Sequence, residues 1–212
     1  MPEITRLEPD RRRPWWIDFH LDGVFYCRLK REDAESWGWT VGTELSPVEI
    51  DQLETAQRRE ALHRALRYLS VRPRSCHELE RHLKSRAHSE AAIDGAICEC
   101  DRLGYVDDEA FAAAYARDRI RLRPRSPTLL KAELRSRGVR AADADAGIAS
   151  ALEDEGVDLA ALLERAARNG AKRLRGQDRT VARSRLAGYL SRRGFSVADV
   201  RAALDTYLPP DR

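Results

Sequence analysis

At 212 residues, the chain can bury a real core, either as one domain or as a row of small subdomains. Charged residues make up 34% of it and the mean hydropathy is −0.59, which argues for much solvated helix surface and few thick hydrophobic layers. No apolar run approaches the roughly 20 residues needed to span a bilayer, and no signal peptide is apparent, so a cytoplasmic protein without a membrane partner is expected.

Residues 1–45 read as a small β-rich subdomain. "WWIDFHL" and "VFYCRL" are rich in aromatic and β-branched residues, and Asp22-Gly23 between them is a hairpin-turn signal. "EITRLEP" can supply the third strand that a lone hairpin needs. Trp15, Trp16, Trp37 and Trp39 are expected to provide most of its core, and Arg11-Arg12-Arg13 to form a solvated loop.

Helices follow. Ser46 as cap, Pro47 at the first helical position and Glu49 as partner of a capping box predict a helix from about Pro47 to Leu69. "VRPRS" breaks it, Ser75-x-x-Glu78 starts the next, and Ser89 begins a third that ends near Gly104. Asp107-Asp108-Glu109 opens the following helix with charges that suit the positive end of its dipole. "RPRSP" breaks the chain again, Gly138 ends another helix and a further one runs to Gly156. The last set starts near Asp158, with Gly170 as a weak point in its first helix; Gly194 stops the second, and Pro209-Pro210 the third.

These helices repeat. Leu79 and Leu83 recur as Leu130 and Leu134, then as Leu186 and Leu190, at offsets of 51 and 56. In the same register Ala87, Gly138 and Gly194 correspond, as do Ile93, Ala144 and Val200, and Ile97, Ile148 and Leu204. The expected fold is therefore mainly α: three tandem three-helix repeats (46–105, 106–156 and 157–212) in an elongated array, behind the β-hairpin-containing head.

Net charge is only +3 but unevenly placed: residues 1–50 carry 7 basic and 10 acidic side chains, residues 158–212 carry 12 and 6. The basic clusters fall on the same part of every repeat. They comprise Arg72, Arg74, Lys84 and Arg86; Arg121, Arg123, Arg125, Lys131, Arg135 and Arg137; and Arg183, Arg185, Arg192 and Arg193. Arginine outnumbers lysine 34 to 4, and its planar fork suits phosphates and carboxylates bidentately. A charged outer face serves solubility, but recurrence at matching positions points to a basic stripe for a long polyanion or an acidic protein groove.

No phosphate loop, dinucleotide fingerprint, HExxH pair or nucleophile elbow occurs, so neither enzyme chemistry nor a cofactor is expected. The carboxylates at 107–109 read as a helix cap. Cys98-x-Cys100 lacks chelating spacing, so free thiols are expected for all four cysteines and no metal.

"ALRYLSVRPRSCHELERHL", "LGYVDDEAFAAAYARDRI" and "LKAELRSRGV" together resemble the RecX family of recombination regulators, over about residues 58–208. "TELSPVEIDQL" and the hairpin before it look like the head of longer members. Ala87-His88 departs from the pattern shown by Gly138-Val139 and Gly194-Phe195, which bears on the loop of the first repeat. The resemblance implies a protein that binds RecA filaments on DNA, lying along the filament groove and suppressing ATP hydrolysis, strand exchange and the coprotease activity that triggers the SOS response. No catalytic residue carries over. The implied partners are the RecA nucleoprotein filament and, weakly and without sequence preference, single- or double-stranded DNA, with the protein a monomer. The residues alone also fit a general helical DNA-binding protein with no filament preference.

Overall fold

The structure, a computed structural model, describes residues 1–209; Pro210, expected to help end the last helix, and the two residues after it lie outside that range. Strands β1 (Ile4–Pro9), β2 (Trp16–Leu21) and β3 (Val24–Lys30) form one antiparallel sheet in the order β1-β2-β3. Asp22 and Gly23 both take positive φ (49° and 81°), as a two-residue hairpin turn demands. Strand alternation sends Ile17, Phe19, Leu21, Cys27 and Leu29 to one face, where Ile4 and Leu45 join them.

The tryptophans divide. Trp39 packs on Phe19 and Trp37 at the edge of this core, with ring centroids 5.7 and 4.4 Å apart, whereas Trp15 is 62% exposed and Trp16 lies outside the cluster, beneath Arg64. Aliphatic residues, not four tryptophans, fill the head. A short helix α1 (Arg31–Ser36) follows the sheet; it buries only Ala34, so no apolar period announced it.

Among the described residues nine longer helices follow: α2 (Pro47–Leu69), α3 (Cys76–Lys84), α4 (Glu90–Arg102), α5 (Asp108–Leu122), α6 (Pro127–Arg135), α7 (Ala141–Asp154), α8 (Leu159–Lys172), α9 (Arg179–Ser191) and α10 (Val197–Tyr207). Hydroxyl caps set five of the starts: Ser46, Ser75, Ser89, Ser126 and Ser196 each accept from the backbone N–H three residues on, and Asp158 and Asp178 do the same for α8 and α9. The repeated leucines Leu79, Leu83, Leu130, Leu134, Leu186 and Leu190 are all fully buried.

Packing groups the chain in two compact units, residues 1–107 and the chain from Asp108 onward. In the first, the sheet and the first repeat are tied by polar groups on α2. Glu54 accepts from Tyr26 Oη on β3 and, at 3.0 Å, from Ser89 Oγ at the start of α4. Gln57 Nε2 donates to Arg28 O at 2.9 Å, and Arg28 N–H donates to Ala87 O at 2.7 Å. In the second unit one continuous core runs from Phe111 through Leu130, Ile148 and Leu162 to Leu186 and Val200. Gly170 is not a weak point there. A Cβ on it would stand 2.6 Å from Leu186 Cδ1, so its absence lets α8 lie against α9.

Each middle helix (α3, α6, α9) ends in a residue with left-handed backbone: Ala87 at φ 62°, Gly138 at 78° and Gly194 at 82°. Ala87 therefore adopts the turn of its glycine counterparts despite its Cβ, and His88 plugs the core at 6% exposure as Val139 and Phe195 do at 3% and 5%. At Gly194 the turn is also crowded: a Cβ would lie 2.5 Å from both Ser126 Oγ and Leu129 Cβ, and Ser126 Oγ donates to Gly194 O at 2.6 Å.

The two positions respond oppositely. Ala87→Gly relieves a left-handed strain of about 1–2 kcal/mol against a smaller entropic cost, and raises stability by about 0.5–1 kcal/mol. Gly194→Ala adds both strain and overlap and lowers it by about 2–4 kcal/mol. Urea unfolding of the two variants measures both; a loss with Ala87→Gly contradicts the assigned turn. Burial, with Arg64 and His82 adding positive charge, lowers the His88 pKa from 6.5 to about 4. The unfolded histidine protonates near 6.5 and the folded one only near 4, so its contribution is complete above 6.5 and declines as pH falls toward 4. Across that window the native protein loses about 3 kcal/mol through this residue, and His88→Val removes that part of the acid sensitivity. Unfolding midpoints of both proteins on either side of the window check it.

Candidate polyanion interface

The linker between α5 and α6, the last turn of α8 and the C-terminal half of α9 converge on one groove of about 640 Å³ in the second unit. "RPRSP" stops α5, and Ser126 then anchors the linker by donating its N–H to Arg193 O at 2.9 Å and its hydroxyl to Gly194 O. This attachment places Arg123 and Arg125 across from Arg192 and Arg193, 69 residues away for Arg193 and Pro124, which share a 2.9 Å hydrogen bond from Arg193 Nη1 to the Pro124 carbonyl. Lys172 and Arg173, at the end of α8, complete six cations on the lining.

Its one carboxylate, Glu133, is already occupied, accepting from Tyr115 Oη at 3.0 Å and pairing with Arg125. The Arg193 guanidinium lies 4.4 Å above the Tyr189 ring. Burial holds Arg193 below the ordinary arginine range; Tyr189 opposes that, while Arg125 and Arg173 add to it. Five of the six cations thus have no carboxylate partner among the described residues, which suits an incoming polyanion.

Of the fourteen basic residues expected to bind, Arg123, Arg125, Arg192 and Arg193 come together in this groove. Others are engaged within the fold. Arg183 donates to the carbonyls of Leu204 (3.2 Å) and Leu208 and to Asp205 (3.1 Å), closing the end of α10. Arg121 pairs with Glu155 at 2.7 Å, Lys131 with Asp145 at 2.8 Å, and Arg185 donates to Gln177 Oε1 at 2.7 Å. Arg137 sits 5.0 Å over the Tyr115 ring, which Arg119 also covers at 4.1 Å. Arg135 is exposed on α6.

In the first unit Arg72 pairs with Glu78 at 3.1 Å and Lys84 with Glu80 at 2.7 Å. Arg74 covers the Tyr68 ring at 4.1 Å, and Arg86 is exposed just past α3. Lys172 and Arg173 fall outside the repeated basic pattern, because they end a first helix whereas that pattern lies on the middle helices and linkers. The excess of 10 basic over 1 acidic residue across 165–193 was the available signal.

Among the described residues no helix is long and apolar enough to cross a membrane, and no group of three His, Cys, Asp or Glu side chains could hold a metal ion.

The descriptions "RecX, first three-helix domain" and "RecX, second three-helix domain" match residues 61–100 and 107–148. Regulatory protein RecX of Geobacillus kaustophilus is 30% identical over 205 residues, 95% of this chain and 75% of the relative. The Bacillus subtilis protein of the same name is 26% identical over 97% of this chain and 77% of its own length, and that of Pelodictyon phaeoclathratiforme 33% identical over 69% and 88%. Among solved structures, a regulatory protein RecX aligns with TM-score 0.62 at 23% identity, covering 97% of this chain and 100% of that one. RecX from Lactobacillus salivarius aligns at 0.57 and 21%, covering 71% and 96%. These two likenesses bear on the fold: a mainly helical chain with a small N-terminal sheet.

Proposed function

Because the chain belongs to the RecX family of regulatory proteins, we propose that it binds the RecA–DNA filament and inhibits it, lowering ATP hydrolysis, strand exchange and coprotease activity in recombination, DNA repair and the SOS response. The observation that carries this reading is the groove between the second and third repeats, with six cations against one occupied carboxylate. A filament presents phosphates and protein carboxylates together, and arginine forks donate to both. The protein acts by binding, as a cytoplasmic monomer, and weak sequence-independent contact with DNA phosphates adds to its hold on the filament. Exposed Arg135, on α6 of the same unit, offers the same chemistry outside the groove.

ATP hydrolysis by the cognate RecA on single-stranded DNA, titrated with this protein well below stoichiometry, tests the reading. Inhibition that survives excess bare DNA means filament recognition. Inhibition only at saturation of the DNA means competition for phosphates and favours a general DNA-binding protein. Charge reversal at Arg123, Arg135 and Arg192, three exposed side chains, is expected to weaken inhibition at least tenfold, about 1.4 kcal/mol, with unchanged helical circular dichroism. Undiminished inhibition by that variant removes the assigned surface.

A further inference from the structure

The first unit carries a second concentration of arginine, outside the repeated pattern. Two adjoining hollows, of about 180 and 500 Å³, lie where the loop before β2 meets α2 and the end of α3, and both are lined by Arg13, Trp16, Arg64 and Arg86. The loop is built rather than loose. Asp10 Oδ1 accepts from the N–H groups of Arg12 (2.9 Å) and Arg13 (2.8 Å), while its other oxygen takes Arg28 Nη1 at 2.9 Å. On the other wall Glu60 takes Arg64 Nη2 at 3.2 Å. Both carboxylates of the lining are thereby engaged, and neither neutralises Arg13 or Arg86, for which no ion pair occurs among the described residues.

Arg64 lies 5.0 Å above the Trp16 ring, and its Nε is buried with no acceptor among the described residues. Burial lowers its pKa; Glu60 works against this, and Arg86 and Arg13 reinforce it. His82, on the wall of the larger hollow and stacked on Tyr68 at 3.9 Å, is lowered likewise by burial and then by Arg86, Arg64 and Arg74. Folding alone gains nothing from gathering like charges around a half-buried guanidinium, and such a local cost is expected where a ligand repays it.

We infer that this cleft is a phosphate-ester site, the smaller arginine-lined hollow holding the phosphate and the larger one, with Tyr68 and His82 on its wall, the attached nucleoside. The phosphate belongs either to a nucleic-acid strand or to a free nucleotide. Three guanidiniums offer the multiple charge-assisted donors a phosphate needs, and since Tyr68 is already covered by His82 and Arg74, the ring left for a base is that of His82, which lines the larger hollow. This site stands apart from the filament reading, since it concerns the first unit alone and needs no recombinase.

Fluorescence anisotropy of the full chain with a labelled oligothymidylate tests it without RecA. In Arg13→Glu/Arg86→Glu, both exposed positions, affinity is expected to fall about tenfold or more. The slope of log K against log salt is expected to drop by about 1.4, at about 0.7 per phosphate contact on a single strand. The melting temperature is unchanged or higher, because repulsion is relieved. Arg59→Glu/Arg102→Glu makes the same charge change in the same unit outside the cleft and is expected to cost much less. Equal losses in the two pairs, or no loss in the first, overturn the site. Displacement by thymidine monophosphate identifies a free-nucleotide source, and displacement only by oligonucleotide a strand. Displacement by polyglutamate as effective as by oligonucleotide overturns the phosphate assignment.

Discussion

A helix that ends in a left-handed residue turns its last carbonyls outward, and in both units of this protein a neighbouring segment seats itself there. Arg28 of β3 donates to the carbonyl of Ala87, and Ser126 at the start of α6 donates to that of Gly194. The backbone angle is thus a docking geometry as well as a stop signal. It explains why a strand can occupy, in the first unit, the place taken in the second by an arginine-rich linker. What sits on the turn decides what surrounds it: in the second unit the linker brings Arg123 and Arg125 to Arg192 and Arg193.

Arginine's dominance over lysine follows from how these side chains are used. One group sits over tyrosine rings, Arg74 on Tyr68, Arg119 and Arg137 on Tyr115, and Arg193 on Tyr189, a placement that suits the weakly hydrated guanidinium better than a compact ammonium. A second group, such as Arg72, Arg121 and Arg183, closes helix ends or ties helices through carboxylates. Exposed pairs of this kind contribute about 0–1 kcal/mol each and are screened by salt. A remainder, Arg123 and Arg192 in the groove, Arg135 on α6, and Arg13 and Arg86 in the first unit, has no ion pair among the described residues.

The helices and the repeat were legible because most starts carry a serine or aspartate cap and each middle helix the same leucine pair, signals written within a few residues of one another. Arg183 and Arg192 look alike in the sequence, yet one closes α10 and the other faces a groove, because the acceptors that separate them, Leu204 O and Asp205, lie more than twenty residues away. Gly170 read as a flaw since helical propensity is local, while its use, contact with Leu186, is not. The union of sheet and first repeat was hidden for a related reason. Glu54 and Gln57 are polar residues on a long charged helix, and nothing in their spacing distinguishes them from solvated ones, though they are 9% and 2% exposed.

That buried seam has a consequence for modularity. Were the strands removed, Glu54 would lose Tyr26 and Gln57 would lose the Arg28 carbonyl, leaving a carboxylate and an amide uncovered beside the apolar interior of the first repeat. Water would then hydrate both groups. A shortened chain beginning at Pro47 would lose the hydrogen bonds that now hold the strands on α2 without leaving a polar group stranded in oil. The cost of the truncation would fall on the apolar face that the strands cover.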